Sequence, residues 1–131
     1  MAKILVIDDN ASLRRMMLRV LANARHTVIE AQDGQEGLAR FKEHSADLVI
    51  TDIIMPEKEG IETMRELIKG SPATKIVAMS GGGTSHNMMF LDVARAVGAD
   101  ATLAKPFRPA DLLDLVDRLL PRGDSAQVQA C

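Results

Sequence analysis

The chain predicts an α/β domain, an open sheet of five parallel strands with helices on both faces. Three observations carry that expectation. Short apolar runs of strand length recur along the 131 residues. Between successive runs lies a segment long enough for one helix, the crossover that parallel pairing requires. Four of the runs end abruptly on polar residues: Asp8-Asp9, Asp52, Ser80 and Lys105.

The elements follow in order. Residues 3–7 read as a strand buried on both faces, and Leu13, Met16, Met17, Val20, Leu21 and Ala24 then recur at helical spacing. Asn10 or Ser12 is placed to cap that helix. Thr27-Val28-Ile29 makes a short second strand, and Asp33-Gly34 turns the chain into a helix carrying Leu38 and Phe41. Residues 47–51 form the third strand, with Asp52 immediately after it. The stretch Met55-Pro56-Glu57-Lys58-Glu59-Gly60 is a loop by its Pro and Gly. A third helix holds Ile61, Met64, Leu67 and Ile68 and ends near Gly70-Ser71-Pro72. The fourth strand is 75–79, and Gly81-Gly82-Gly83 separates it from a helix with Phe90, Val93, Ala94 and Val97. Gly98 ends that helix and 101–104 are the fifth strand. Pro109 suits a first helical turn. Leu112, Leu113, Val116, Leu119 and Leu120 give a final amphipathic helix, which Pro121 stops.

Five βα units with right-handed crossovers make a three-layer (βα)5 flavodoxin-like sheet of order 2-1-3-4-5. Residues 1–120 are expected to form one domain, and 121–131, polar and small, a flexible tail. A net charge of −2 argues against a nucleic-acid footprint, which would cluster Lys and Arg. No apolar run reaches the roughly 18 residues a membrane span needs. Cys131 is the only cysteine, so no internal disulfide is expected and the cytoplasm is the default compartment. The three histidines, His26, His44 and His86, are too scattered for a metal site.

In a doubly wound sheet the strand C-termini open onto one edge, where ligands bind. Three carboxylates, a hydroxyl and an ammonium therefore converge there from positions about a hundred residues apart. Hard oxygen ligands suit Mg²⁺, which takes one or two protein carboxylates together with waters and phosphate oxygens. Asp8, Asp9 and Asp52 supply such ligands, and Lys105 offsets their mutual repulsion. Asp52, alone at its strand end, is the candidate nucleophile, because a carboxylate attacking phosphorus gives an aspartyl phosphate. In-line transfer needs positioning and charge neutralisation above all. Ser80 can donate a hydrogen bond to a phosphoryl oxygen, and Gly81 leaves the approach open.

Five pieces together give the chain a resemblance to response-regulator receiver domains over residues 3–120. They are Ile4-Leu5-Val6-Ile7-Asp8-Asp9, Ala31-Gln32-Asp33-Gly34, Asp52-Ile53-Ile54-Met55-Pro56 with Gly60, Met79-Ser80-Gly81, and Gly98-Ala99-Asp100 followed by Lys105-Pro106-Phe107. The resemblance implies that Asp52 accepts a phosphoryl group from a phosphohistidine on a sensor histidine kinase or phosphotransfer protein. It implies Mg²⁺ bound by Asp9, Asp52 and the backbone carbonyl of Ile54, with Asp8 acting through a metal-bound water. It also implies phosphoryl oxygens held by Ser80 and Lys105, and a cis bond between Lys105 and Pro106.

Two departures bear on mechanism. The aromatic that the family usually carries two residues before its lysine is Leu103 here, which puts the hydroxyl-aromatic switch in doubt and leaves the Gly81–Gly83 loop as the alternative route. At Ile54 and Gly82, where the family tunes hydrolysis, neither residue can orient a water, so a long-lived phosphoryl state is expected. Met88, Met89, Leu91 and Leu115 lie off their helices' core stripes and suggest a partner face near the fourth and fifth helices.

The expected function is a stand-alone, phosphorylation-dependent switch that catalyses only its own phosphorylation and dephosphorylation. It is read by an unidentified protein partner or by a second copy of the chain. It contacts no nucleic acid or membrane directly. The rivals are a phosphate carrier or sink and a phosphorylation-independent interaction module. A haloacid-dehalogenase-type phosphatase lacks its Asp-x-Asp here, and a flavin carrier lacks an aromatic to stack on the ring.

Overall fold

Alternation along the strands decides which residues meet which helices. The computed structural model describes residues 2–52, 60–71, 73–81, 92 and 94–120. Five strands, β1 (Lys3–Ile7), β2 (Thr27–Ala31), β3 (Leu48–Asp52), β4 (Lys75–Gly81) and β5 (Ala101–Lys105), pair in parallel in the order β2-β1-β3-β4-β5. This is the predicted order. The helices are α1 (Ala11–Asn23), α2 (Gly34–His44), α3 (Gly60–Gly70), α4, of which residues 92 and 94–97 are described, and α5 (Pro109–Leu119). None of the described helices is long and apolar enough to cross a membrane.

One face of the sheet presents Ile4, Val6, Leu48, Ile50, Val77 and Met79 to Met17 and Leu21 of α1 and to Leu112, Leu115 and Val116 of α5. The other presents Leu5, Ile7, Val49, Ile76 and Ala78 to Met64 and Leu67 of α3 and Ala94 of α4, with Leu38 and Phe41 of α2 packed alongside. The three layers are therefore as predicted. β1 and β3, buried on both faces, carry the apolar runs Ile4–Ile7 and Leu48–Ile50, whereas the edge strands β2 and β5 are mostly half-buried.

Four strands run further than the apolar runs suggest. β2 continues to Ala31, β4 to Gly81, and β5 includes Lys105, because each residue still finds a backbone partner: Ile7 with Ala31, and Gly81 with Lys105. Asp52 likewise belongs to β3, paired with Met79. The site residues are thus the last rungs of the ladder rather than the first residues of loops. One helix face also differs. Leu115 was expected to be exposed on a partner face, but it is buried beside Leu112 and Val116. Positions 112, 115, 116 and 119 form an i, i+3, i+4, i+7 stripe, and Leu113 is only half-buried at its edge.

The helix starts match their sequence signals. Asn10 caps α1, its side chain accepting the Leu13 amide at 3.0 Å, and Asp33 caps α2 through the Glu36 amide at 2.8 Å. Pro109 opens α5, and the Asp111 carboxylate accepts the Arg108 amide at 3.0 Å, which holds its pKa low. After α4 the chain turns at Gly98, whose φ of 134° is one that L side chains rarely adopt. Asp100 then grips β4 twice: its amide donates to the Ile76 carbonyl at 2.8 Å, and its carboxylate accepts the Ile76 amide at 2.9 Å. The Lys105–Pro106 bond is cis. The expectations for Ile54, the Gly82–Gly83 part of the glycine loop, Met88, Met89, Leu91 and the tail 121–131 lie outside the described residues.

Two predictions follow from packing and burial. A Cβ on Gly37 of α2 would run into the side chain of Ile7, the residue before Asp8, whereas a Cβ on Gly70 would meet nothing within 4 Å. Gly37→Ala should cost about 1–3 kcal/mol by overpacking a buried helix–sheet contact. Gly70→Ala should be neutral or stabilise by up to about 1 kcal/mol, and urea unfolding of both variants separates the two effects. Separately, burial and then the N-terminal ammonium lower the His26 pKa from its ordinary 6.5, against the opposing charge of Asp117. Its Nδ1 accepts the Ala2 amide at 3.1 Å, a bond that only the neutral ring can make. The stability this contributes is complete above pH 6.5 and is lost as the pH falls through the lowered value. Comparing urea midpoints at neutral and mildly acid pH should show the wild type losing more stability than His26→Gln.

Candidate functional site

The site lies at the C-terminal edge of the sheet, where β1, β3 and β5 bring together residues distant in sequence. Lys105 Nζ donates to Asp8 Oδ2 at 2.7 Å and to Asp52 Oδ2 at 3.0 Å, contacts that span 97 and 53 positions of the chain. Asp8 is fully buried, the Asp52 side chain is 9% exposed and that of Lys105 19%. Asp9, beside Asp8, is exposed. Alternation explains the convergence of Asp52 and Lys105: they share the parity of Ile50 and Leu103, and so the face that packs on α1 and α5.

Each carboxylate is held differently. Asp8 Oδ1 accepts the Asn10 amide at 2.8 Å, so both of its oxygens already have partners. Its backbone amide donates to the Ala31 carbonyl at 3.1 Å, and its carbonyl accepts Arg14 Nη1 at 2.7 Å. Ser80 sits between Met79, the register partner of Asp52, and Gly81, the partner of Lys105. It is fully buried and shares the parity of Ile76 and Ala78 on the opposite face. Asp8, Asp9, Asp52 and Lys105 are therefore one cluster, and Ser80 adjoins it along β4.

The electrostatics are those of an anionic pocket with one cation inside. Burial pulls the Lys105 pKa down. The hydrogen bond to Asp8 and the charges of Asp52 and Asp8 outweigh it, so the net shift is upward and the ammonium stays charged. Three carboxylates face one ammonium, an excess of acidic groups that a divalent cation suits. One carboxylate oxygen from each of Asp8, Asp9 and Asp52 can be chosen so that all lie within 4.8 Å of one another. An octahedral Mg²⁺ shell, with ligands at about 2.0–2.1 Å, places opposite oxygens about 4 Å apart, so small side-chain movements close the site. All three donors are hard oxygens, which suits Mg²⁺ rather than a soft metal.

Arg14 and Glu30 escaped sequence reasoning. Arg14 Nε donates to Glu30 Oε1 at 3.1 Å while its Nη1 holds the Asp8 carbonyl. No motif marks the pair. The signal was latent in the pairing of β1 with β2, which sets Glu30 beside Val6, two residues before Asp8.

A doubly wound sheet with a lysine-bridged acidic cluster at its C-terminal edge defines a receiver-type domain. Comparison with known proteins bears this out. The chain belongs to the response regulator receiver domain family, whose pattern matches residues 4–117. It is 34% identical to the chemotaxis protein CheY of Bacillus subtilis and 32% to that of Thermotoga maritima, covering 90% and 89% of this chain and 97% and 96% of theirs. It is 37% identical over 95% of its length to a probable transcriptional regulator, ycf27, of Porphyridium aerugineum, but spans 50% of that protein. Among solved structures, the chemotaxis protein CheY4 of Vibrio cholerae superposes with a TM-score of 0.82 at 34% identity, covering 92% of this chain and 99% of that one.

Clustered charge of one sign costs stability, and Asp9 contributes to it without a hydrogen bond or ion pair among the described residues. Asp9→Ala should therefore stabilise the metal-free protein by about 1 kcal/mol in low salt, in the way that relieving a functional site commonly does. Urea unfolding checks this. The gain should shrink as salt is added and reverse when a divalent cation binds the wild type.

Proposed function

We propose that this receiver domain is a phosphorylation-dependent switch whose phosphoacceptor is Asp52. The observation that carries the reading is the bridge from Lys105 to Asp8 and Asp52, with Asp9 close by at the open edge. A carboxylate oxygen of Asp52 attacks the phosphorus of a phosphohistidine on a histidine kinase or phosphotransfer protein. The P–N bond breaks, and the imidazole keeps the electron pair and takes up a proton. Asp9 and Asp52, with Asp8 acting through water, would hold Mg²⁺, the resemblance adding the carbonyl of Ile54, which lies outside the described residues; the ion would supply charge neutralisation at the phosphoryl oxygens. Lys105, already against Asp52, turns its ammonium to the incoming group, and Ser80 donates its hydroxyl from β4.

The phosphoryl group brings about two negative charges to a site balanced for fewer. That charge biases the end of β4, β5 and the adjoining helices toward one of two arrangements, which a partner protein or a second copy reads. The domain acts in the cytoplasm and turns over no substrate other than its own phosphoryl group. Leu103 supports one competing reading, an interaction module that ignores phosphorylation. It packs half-buried against the α1 and α5 core, where the family usually has an aromatic switch residue.

Intact mass after incubation with Mg²⁺ and a small acyl phosphate tests the proposal. The wild type should gain one phosphoryl group, while Asp52→Asn and chelator-treated wild type should gain none. A wild type that stays unmodified at saturating Mg²⁺, even with a histidine kinase present, would sink it.

A further inference from the structure

We infer that Arg14, oriented by Glu30, is a positioning residue that fixes the peptide between Asp8 and Asp9 and thereby presents Asp9 to a cation. The inference rests on the proposed Mg²⁺ site but stands on its own geometry.

The two carboxylates leave the chain on either side of one peptide group. Its carbonyl is that of Asp8 and its amide that of Asp9, so the direction of the carbonyl sets where Asp9 points relative to Asp8. The Asp8 side chain does not depend on that peptide, being held by the Asn10 amide and by Lys105. Asp9 has no such anchor. Its side chain is exposed, and no hydrogen bond or ion pair holds it among the described residues.

The Asp8 carbonyl is the point at which order enters, and Arg14 Nη1 holds it at 2.7 Å. A guanidinium is a planar fork of donors and can grip two acceptors in fixed relative directions. Arg14 uses it so: Nη1 on the Asp8 carbonyl, Nε on Glu30 Oε1 at 3.1 Å. Its side chain is 16% exposed and that of Glu30 34%, so both are partly withdrawn from water. Each anchor sits on a separate element, Arg14 in the first turns of α1 and Glu30 near the end of β2. Together they tie the β1–α1 junction to the neighbouring strand. An ordinary surface ion pair would need only the Glu30 contact; the carbonyl contact makes the pair a clamp on the site.

The test is a set of three variants, Arg14→Ala, Arg14→Lys and Glu30→Gln, read in two ways. In the ion-free protein, hydrogen exchange at the Asp9 and Asn10 amides reports the local peptide, while Leu5 and Val6 in β1 report opening of the sheet. Arg14→Ala should speed exchange at Asp9 and Asn10 while leaving Leu5 and Val6 protected. Calorimetric titration with Mg²⁺ should show binding weakened about tenfold, the scale typical of removing an outer-shell support. Glu30→Gln should weaken it less. Arg14→Lys, a point charge able to reach the carbonyl but not to fork, should restore part of the loss.

Exchange that rises equally at all four amides would mean a merely structural ion pair and overturn the inference. So would unchanged exchange at Asp9 and Asn10, or a wild-type Mg²⁺ affinity in Arg14→Ala. A wild type that binds no Mg²⁺ would refute the metal site itself, and the exchange measurement would still decide the clamp.

Discussion

Everything at the functional edge depends on one ammonium reaching across a strand. The order β2-β1-β3-β4-β5 makes β1 and β3 neighbours, so Asp8 and Asp52 meet without help, but Lys105 starts two strands from β3. Adjacent strands lie about 4.8 Å apart, so its side chain must cross some 10 Å, over the end of β4. A bulky residue there would block it. The register puts Gly81, a residue with no side chain, opposite Lys105. The tripeptide Met79-Ser80-Gly81 is thus explained twice, by the chemistry expected of a hydroxyl and by the clearance that Lys105 requires.

That reach also settles an energetic conflict. Three carboxylates this close, two of them buried and Asp9 exposed, repel one another unless a cation lies among them. Lys105 lies between two of them at the cost of burying much of a lysine, and the upward net shift of its pKa means that its attraction to Asp8 and Asp52 exceeds its desolvation. A pocket with three carboxylates to one ammonium is stable enough to fold and remains receptive to a cation. Stability and receptivity are set against each other here, as they generally are where a site gathers like charges.

Most of this was legible in the sequence because it rests on short-range periodicity and chain order. Apolar runs with helix-length spacers imply parallel strands, parallel strands imply a common edge, and the residues ending the runs must then converge. What escaped was of two kinds. Strand ends and helix faces depend on neighbours: β4 runs to Gly81 because β5 is there to pair with it, and Leu115 is buried because the stripe of α5 is set by how the helix docks. Contacts such as Arg14 with Glu30 and the Asp8 carbonyl join two elements with no recurring spacing between them, so no pattern in one chain announces them. Asp100 is intermediate. It stood in the sequence as part of a family motif, and its work, clasping Ile76 at the start of β4, is purely architectural.

The unequal treatment of Asp8 and Asp9 gives the edge a direction. Asp8 is buried with both oxygens already accepting hydrogen bonds, one from the backbone and one from Lys105, so each has one acceptor position left for a cation or its water. Asp9 is exposed and surrenders nothing. Asp9, exposed, and Asp52, nearly buried, would be the ligands open to a cation from solvent, while Asp8 holds the Lys105 ammonium. The sheet need not move for this. The adjustable parts are the Asp9 carboxylate, exposed and without a partner among the described residues, and the Lys105 side chain, which has two anchors to choose between. A rigid ladder carrying one tethered but movable cation could exchange a charged ligand without unfolding its edge, which is what the proposed switch would require.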